Sequence, residues 1–438
     1  MNEAALSIFA AAREDPQAIA LRTDAANFTF AQLAERVAKR LRATDIQDAP
    51  GPFLLAATPT VDTVVSLLAL FERRQAAVLL HPKLTAPERE AALCAARRAV
   101  RLPADAAAVV FTSGTTGEPK AAVLARAALI ASAQASAANL GWRNDDCWLL
   151  AMPIARIGGL SILTRSLIAR RAVALVPGFD AAALPRWIEQ HRVTLASLVP
   201  AMLDRVLEAH PHWRPPRSLR AVLIGGAAAP TRLLERAARR SVPIVITYGC
   251  TETCSQVTAT PYASRFDAAR CGAGRPLPGA ELRMVDGRIE VRGPMRMHGY
   301  AGEVPLDPQA WFDTGDVGAI DDQGYLHVGG RADERIVTGG DNVDPAEVER
   351  VLEAFAGVAA AAVFGVADAT WGQVVAAALV PHGRGLDEEA LAAFLRERLS
   401  PHKCPRRICV VPALPHTAAG KLDRAALASL PTVLRELC

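Results

Sequence analysis

Residues 112–120 read Thr-Ser-Gly-Thr-Thr-Gly-Glu-Pro-Lys and follow the apolar run 106–111. The segment combines hydroxyl donors, glycines that let the backbone approach a ligand closely, and one lysine ammonium. Successive backbone N–H groups in such a loop form an anion-binding concavity. The residues predicted to hold a polyphosphate are Thr112, Ser113, Gly114, Thr115, Thr116, Gly117 and Lys120. An ordinary surface turn is the alternative, and the glycine spacing excludes a Walker loop.

Four later motifs carry residues suited to nucleotide chemistry. They occupy residues 248–252, 311–316, 330–333 and 415–421. The carboxylate of Glu252 suits Mg²⁺, because that ion prefers oxygen ligands and usually keeps phosphates in its shell. Asp316 can accept two hydrogen bonds from a ribose diol. Lys421 follows Ala-Ala-Gly, which permits close approach, so it can bring positive charge to two reacting anions.

In this order, the five motifs resemble those of the adenylate-forming superfamily. That superfamily contains acyl- and aryl-CoA synthetases, peptide-synthetase adenylation domains and luciferases, and the resemblance covers nearly all 438 residues. It implies a reaction in which a carboxylate attacks the α-phosphate of ATP and pyrophosphate leaves. A thiol, such as that of coenzyme A, then takes the acyl group. Such a reaction depends mainly on positioning and on positive charge.

The resemblance also implies a role for each matched residue. Catalysis is assigned to Lys421, which bridges carboxylate and phosphate, to Thr251 near the α-phosphate, and to Glu252 as the Mg²⁺ ligand. The segment 112–120 clamps the β- and γ-phosphates, and Tyr248 stacks on adenine. The implied nucleotide-binding residues outside that segment are Gly225, Gly226, Ala227, Tyr248, Gly249, Thr251, Asp316 and Arg331.

The same resemblance implies a mobile small domain that lets one active site act twice. Asp333 matches the hinge position, where a residue absorbs a large backbone rotation. From the residues alone, Asp333 is equally a surface salt-bridge partner. Gly339 and Gly340 form a two-glycine turn suited to the pantetheine arm of coenzyme A.

Residues 158–163 and 251–258 resemble one branch, the o-succinylbenzoate–CoA ligases of menaquinone biosynthesis. Their aromatic dicarboxylate substrate needs an apolar wall and a cationic or polar partner for the spare carboxylate. The candidate substrate-binding residues are Arg156, Gly159 and Ser255. The branch usually has a histidine where this chain has Arg156. An arginine can hold a carboxylate by two hydrogen bonds, and a solvent-facing arginine is the alternative.

Three other functions stay open at this point. The chain could activate a different carboxylic acid for transfer to coenzyme A. It could be a stand-alone adenylation enzyme that loads an acyl carrier protein. It could be a nucleotide-binding protein without catalysis, but Lys421 argues against this because binding alone would not need it.

The elements that must position these residues are strands alternating with helices. Apolar runs at 106–111, 219–224 and 242–246 predict buried strands, and each run ends just before a motif. The pattern predicts an α/β fold with parallel-rich βαβ sheets, in which ligands bind at the carboxyl ends of strands. Short strands after residue 282 predict a small β-rich subdomain.

The domain prediction is an AMP-binding adenylation domain at 1–332 and a mobile α+β C-terminal domain at 333–438, which carries Lys421. Helices are predicted at 61–72 and 345–354. The sequence leaves a homodimer open.

Composition excludes several classes of protein. Hydrophobic residues make up 51%, charged residues 21%, and the net charge is +4, which is ordinary for a globular protein. The arginines are scattered, so nothing indicates nucleic acid binding. Eight cysteines without a Cys-x-x-Cys pair favour a reducing cytoplasm. The most apolar stretch is too short to span a membrane.

Overall fold

The computed structural model of the chain describes residues 3–47, 51–97, 102–113, 119–338, 341–368, 371–383, 385–416, 422–423, 426–427 and 435–437. The chain divides into two compact units. The first consists of Met1–Leu282, Val291–Phe312 and Gly324–Leu326, and the second of Arg283–Glu290, Asp313–Gln323 and His327–Cys438. The second unit thus includes residues 283–290, 313–323 and 327–332, which the sequence assigns to a domain of residues 1–332, because these residues belong mainly to β-strands of the small subdomain.

The α-helices of the described residues are α1 (Ile8–Glu14), α2 (Phe30–Leu41), α3 (Thr44–Gln47), α4 (Val61–Arg73), α5 (Ala86–Arg97), α6 (Arg126–Leu140), α7 (Ile157–Ala169), α8 (Leu184–Gln190), α9 (Pro200–Ala209), α10 (Thr231–Arg239), α11 (Pro345–Glu353) and α12 (Glu388–Arg396). The predictions at 61–72 and 345–354 are confirmed by α4 and α11. Local sequence starts both helices, since Thr60 and Asp344 accept hydrogen bonds from backbone N–H groups of the first turn. No helix in this part of the chain combines the length and apolar character needed to cross a lipid bilayer.

A nine-stranded mixed sheet lies in the first unit. Its strands, in sheet order, are β13 (Arg275–Pro276), β12 (Thr258–Ala259), β11 (Ile244–Tyr248), β10 (Ala221–Ile224), β9 (Leu195–Leu198), β7 (Cys147–Leu150), β8 (Ala172–Leu175), β1 (Ile19–Arg22) and β2 (Asn27–Thr29). The central strands from β11 to β1 are parallel. Strands β7, β8 and β10 are buried at every residue, because helices pack on a parallel sheet and leave its strands apolar.

A second sheet of the first unit carries the segment with the opening motif. Its strands, in sheet order, are β16 (Gly299–Tyr300), β6 (Pro119–Ala125), β5 (Ala106–Ser113), β4 (Ala77–Leu80) and β3 (Phe53–Ala56). Strands β3, β4 and β5 are parallel, whereas β6 is antiparallel to both β5 and β16. The predicted strands at 106–111, 219–224 and 242–246 are confirmed as β5, β10 and β11, and with them the α/β class.

The remaining strands form two smaller sheets. One has the order β14 (Glu281–Val285), β15 (Arg288–Arg292), β17 (Phe312–Ile320) and β18 (Leu326–Arg331). The other has the order β20 (Asp341–Val343), β19 (Ile336–Thr338), β22 (Gly372–Pro381), β23 (Arg407–Val410) and β24 (Arg435–Glu436), with β21 (Val358–Asp368) also paired to β22. Helices α11 and α12 share an apolar core with the second of these sheets.

The amino ends of β7, β9 and β10 are joined by a buried ion pair. Arg220 binds Asp146 through two hydrogen bonds, of 2.8 and 2.6 Å, and the two residues are only 5% and 2% exposed. Thr194 donates a further hydrogen bond of 2.7 Å to Asp146. Arg220 also donates to the carbonyl oxygens of Leu140 and Gly141 at the end of α6. These charges are therefore closely matched by their surroundings, as burial requires.

Candidate functional site

The two ends of the predicted polyphosphate segment lie opposite each other on paired strands. In the β5–β6 register, Thr112 faces Lys120 and Ser113 faces Pro119. Gly114, Thr115, Thr116 and Gly117 lie outside the described residues. The sequence placed Lys120 in a loop, but it is a strand residue, because antiparallel pairing continues to Pro119. The hairpin still brings a hydroxyl and an exposed ammonium to one point.

The predicted adenine-flanking residues lie at the carboxyl ends of two neighbouring strands. Ile224 pairs with Ile246, so Gly225, which follows β10, and Tyr248, the last residue of β11, lie at the ends of adjacent strands. A Cβ on Gly225 would lie 2.5 Å from the Oγ1 of Thr247, so the backbone here has no room for a side chain. Gly226 has a φ of +79°, and Ala227 is exposed. Glycines thus allow the close packing of this turn against β11.

A tight turn after β11 fixes Glu252 and Ser255. Residues Thr251–Thr253 form one turn of 3₁₀ helix, and the Thr253 hydroxyl lies within it. That hydroxyl accepts a hydrogen bond from the Cys250 N–H and donates to the Ser255 carbonyl. Ser255 has a φ of +94°, and its carbonyl would lie 1.8 Å from a Cβ on Gly249. A side chain at the position after Tyr248 would collide with this carbonyl, which explains the glycine there. Thr253 supports the turn, and the sequence did not predict this role.

Tyr300 connects the two charged groups of the candidate site. Its hydroxyl donates a 2.8 Å hydrogen bond to the Oε1 of Glu252, and the Nζ of Lys120 lies 4.9 Å from its ring centroid. The Glu252 carbonyl also accepts a 2.7 Å hydrogen bond from the Met297 N–H, just before β16. Burial, followed by the negative charge of Glu252, raises the pKa of Tyr300, so its hydroxyl keeps the donated proton.

Arg156 directly precedes α7 and is half-buried. Its Nη1 donates a 3.2 Å hydrogen bond to the Phe111 carbonyl, and burial lowers the pKa of Arg156 despite the opposing effect of Glu88. The Arg156 side chain is therefore partly buried against β5 and not fully turned to solvent. Gly159 is buried in the first turn of α7, where a Cβ would lie 2.2 Å from the Pro153 carbonyl. The structure thus places Arg156 beside the strand that leads to the polyphosphate segment.

A buried arginine supports the turn that contains Ser255. Arg165, in α7, is 3% exposed, and burial lowers its pKa to about 9. It donates to the side-chain oxygen of Gln256 at 2.7 Å when the Gln256 amide is oriented to satisfy both groups. The Ser132 hydroxyl donates to the Cys254 carbonyl at 2.7 Å. Side chains of helices α6 and α7 therefore hold this turn by hydrogen bonds. The sequence did not predict this arrangement.

The second unit contains the predicted ribose ligands. The Nη1 of Arg331 donates to the Thr314 carbonyl at 2.9 Å and lies 3.4 Å from the Oδ1 of Asp316. Its Nε donates to Asp333 at 3.0 Å. Gly315, at a φ of +76°, leaves room for this guanidinium, because a Cβ there would lie 2.7 Å from it. Asp316 lies within β17.

Asp333 therefore forms a salt bridge with Arg331. This is the role that the sequence predicted as the alternative to a hinge. The predicted catalytic residue Lys421 and the predicted coenzyme A contacts Gly339 and Gly340 lie outside the described residues.

Two sequence families match the chain. The family described as AMP-binding enzyme matches residues 95–301. The family described as AMP-binding enzyme C-terminal domain matches residues 347–421. The first match contains the motifs at 112–120 and 248–252, and the second contains the motif at 415–421.

The chain is also similar to proteins with assigned names. The 2-succinylbenzoate–CoA ligase of Bacillus licheniformis is 42% identical over 73% of this chain and 69% of that protein. The structure of the o-succinylbenzoate CoA synthetase of Bacillus subtilis in complex with the acyl-adenylate intermediate is similar, with a TM-score of 0.85. It is 31% identical and covers 96% of this chain and 97% of that one. A structure of the same Bacillus subtilis enzyme with ATP and magnesium ion has the same TM-score and identity, over 96% and 98% of the chains.

Proposed function

We propose that this chain, which belongs to the family of AMP-binding enzymes, ligates o-succinylbenzoate to coenzyme A. The carboxylate reacts with ATP to give an acyl-adenylate and pyrophosphate, and coenzyme A then gives the thioester and AMP. Relatives that carry the name of this activity support the assignment. The reaction belongs to menaquinone biosynthesis, and we place the enzyme in the cytoplasm.

One observation carries the proposal. Lys120 of the hairpin and Glu252 after β11 both contact Tyr300. A cation for phosphate oxygens and a carboxylate for a divalent metal therefore lie in one place, although 132 positions separate them in the sequence. This pairing of charges suits a metal-bound polyphosphate better than either group would alone.

The residues present fit Mg²⁺. Among the described residues, the Oε2 of Glu252 accepts no hydrogen bond, while Oε1 is held by Tyr300. A carboxylate oxygen is the ligand that Mg²⁺ prefers, and the ion usually completes its shell with phosphates and water. When bound, the ion would neutralise charge on the phosphates of ATP.

In this proposal, Thr112 and Lys120 bind the leaving phosphates, and Thr251 lies at the α-phosphate. Tyr248 stacks on adenine beside the Gly225–Gly226–Ala227 turn. Asp316 and Arg331 bind the ribose.

The remaining assignments concern the C-terminal domain, which we place at 333–438. Lys421 promotes adenylation, Asp333 is the hinge, and Gly339 and Gly340 contact coenzyme A. The Arg331–Asp333 ion pair is compatible with a hinge, since an exposed pair of this kind is weak and breaks readily.

Arg156, Gly159 and Ser255 form the acid-binding part of the proposal. The guanidinium of Arg156 binds the carboxylate that does not react. Gly159 lies in the first turn of α7 close to Arg156, and Ser255 supplies polar contact on the turn fixed by Thr253.

The test is a pyrophosphate-release assay with ATP, Mg²⁺ and a panel of aromatic and aliphatic acids, followed by detection of the CoA thioester. We expect o-succinylbenzoate to give the highest kcat/KM and a CoA thioester product. A higher kcat/KM for another acid would replace the substrate assignment. Adenylate formation without a CoA thioester would instead favour loading of an acyl carrier protein.

A further inference from the structure

We propose that Tyr300 is a positioning residue that orients Glu252 for the divalent cation and keeps this carboxylate apart from Lys120. The inference rests on the proposed function, since it concerns the metal–nucleotide part of that site. It adds a residue that lies outside all five sequence motifs.

Strand register explains why Tyr300 meets Lys120. Tyr300 pairs with Ala122 across the antiparallel β16–β6 ladder. Lys120 is two residues along β6 from Ala122, so it lies on the same face as Tyr300, at the diagonal position. An aromatic ring reaches such a neighbour, and the ammonium accordingly lies 4.9 Å from the ring centroid. The ring face is negative, so this contact attracts a cation.

The hydroxyl of Tyr300 meets a different charge. It donates to the Oε1 of Glu252 at 2.8 Å, since a carboxylate oxygen can only accept. One carboxylate oxygen is thereby fixed, while Oε2 accepts no hydrogen bond from a described residue. Groups that hold a metal ligand in this way set its orientation and its basicity.

The arrangement also prevents a competing interaction. Two opposite charges at contact distance attract each other in water, and they attract several times more strongly near a protein surface. In the described part of the chain, neither Lys120 nor Glu252 forms an ion pair, and both contact the tyrosine instead. A direct Lys120–Glu252 pair would occupy both the phosphate-binding cation and the metal-binding carboxylate. Tyr300 therefore keeps both groups available for their ligands.

The deciding experiment compares Tyr300→Phe with the wild type. Phenylalanine keeps the ring over Lys120 and removes only the hydroxyl. Mn²⁺ serves as the probe, titrated by electron paramagnetic resonance into enzyme saturated with α,β-methylene-ATP. We expect the Mn²⁺ Kd to rise roughly 10- to 100-fold, as for other groups that support a metal ligand. The Kd of α,β-methylene-ATP without metal should change less than about twofold, because the cation–π contact remains.

Tyr325→Phe is the matched control. It removes the hydroxyl of another partly buried tyrosine of the first unit, whose ring is stacked by Arg275 at 4.5 Å. Its Mn²⁺ Kd should match that of the wild type. An unchanged Mn²⁺ Kd in Tyr300→Phe, or an equal loss in both variants, would overturn the proposal.

Tyr300→Leu tests the separation of the charges. This variant also lacks the ring, so Lys120 and Glu252 can pair directly. We expect weaker binding of α,β-methylene-ATP even without metal, which Tyr300→Phe should not show. Equal metal-free nucleotide binding in the two variants would contradict the spacer role. If Tyr300→Leu does not fold, Tyr300→Phe alone decides, and its melting temperature should stay close to that of the wild type.

A purely structural tyrosine would give a different kinetic result. In the pyrophosphate-release assay, raising Mg²⁺ should restore the kcat of Tyr300→Phe, since only the metal affinity is reduced. A kcat that stays low at saturating Mg²⁺ would count against the proposal. The Mn²⁺ titration needs no acid substrate, so it can succeed even if o-succinylbenzoate is the wrong acid.

Discussion

Opposite charges are arranged differently at the two ends of the parallel strands in the nine-stranded sheet. The amino ends are called the closed edge below, and the carboxyl ends are called the open edge. At the amino ends of β7, β9 and β10, Asp146 and Arg220 bind each other directly and are buried. Beyond the carboxyl end of β11, Glu252 meets Tyr300, whose ring contacts Lys120 in place of a direct ion pair. At the closed edge, each charge is therefore paired with other groups of the protein. At the open edge, Lys120 and Glu252 stay available to bind a ligand.

This difference separates stabilising charges from functional ones. A buried ion pair must be matched by hydrogen bonds, and Arg220 donates them to Asp146 and to two carbonyl oxygens at the end of α6. A site for ATP and a metal needs the reverse, since groups already paired cannot bind a ligand without losing their partner. Substitutions at the closed edge should therefore change stability, and substitutions at the open edge should change catalysis.

The largest effect is expected at the closed edge. Arg220→Met leaves the Asp146 carboxylate buried without its cation, which costs about 3–5 kcal/mol when one partner of a buried pair is removed. The free energy of unfolding, measured by urea denaturation, should fall by that amount. Pyrophosphate release by the folded fraction should stay within about twofold of the wild type, because no ligand group is touched.

Arg288→Met is the control for that prediction. Arg288 pairs with Asp313 at 2.7 Å, but each side chain is 42% exposed. Exposed pairs contribute about 0–1 kcal/mol, so little stability should be lost. Equal losses of unfolding free energy in the two variants would show that the buried pair is no more stabilising than the exposed pair.

Lys421→Ala should give the next largest effect, and on catalysis. Removing one group that stabilises transition-state charge typically costs about 10²- to 10³-fold in rate. Acyl-adenylate formation should fall by this factor, while thioester formation from supplied acyl-adenylate should be largely spared. Single-turnover measurements of the two half-reactions separate them. Equal loss of both would contradict the use of Lys421 in adenylation only.

The sequence predicted the strands of this site better than its contacts. Apolar runs located β5, β10 and β11, and the residue types within the motifs made Thr112, Lys120 and Glu252 candidates. Tyr300 was missed because its strand has only two residues, too few for any periodicity, and its partners are distant in sequence. The apolar run 121–125 after Lys120 was the available signal for β6, the strand that brings Tyr300 to Lys120.

The closed edge was missed for a related reason. Asp146 and Arg220 are 74 positions apart, and each looks like an ordinary surface charge in the sequence. They meet because β7, β9 and β10 are parallel neighbours, so their amino ends align. Strand order is a property of the folded sheet, and a local pattern does not encode it.

A smaller effect, on substrate selectivity, is expected from Arg156→Ala. Losing a hydrogen-bonded partner for a charged group costs about 1.5–3 kcal/mol, so the KM for o-succinylbenzoate should rise roughly 10- to 100-fold. The KM for an otherwise matching monocarboxylate should change little. Initial-rate kinetics with both acids measure the difference.

Arg126→Ala is the matched control for selectivity. Arg126 also donates to a backbone carbonyl, that of Phe71 at 2.8 Å, but it has no proposed contact with the acid. It should affect both acids alike. If Arg156→Ala also raises the two KM values equally, the carboxylate-binding role is excluded.

The smallest effect is the pH dependence of the closed edge. Burial alone would raise the pKa of Asp146, but hydrogen bonds from Arg220, the Arg143 N–H and Thr194 outweigh it, so the pKa is lowered from 3.8. A carboxyl whose pKa is lower in the folded state stabilises the fold above its unfolded pKa, and this contribution is lost as the pH falls through the folded pKa. The stability difference between wild type and Asp146→Asn should therefore be constant above about pH 5 and shrink below 3.8. Urea denaturation from pH 7 to pH 3 measures it. A difference that grows on acidification would mean that the carboxylate is not the stabilised form, and that this edge is not matched in charge.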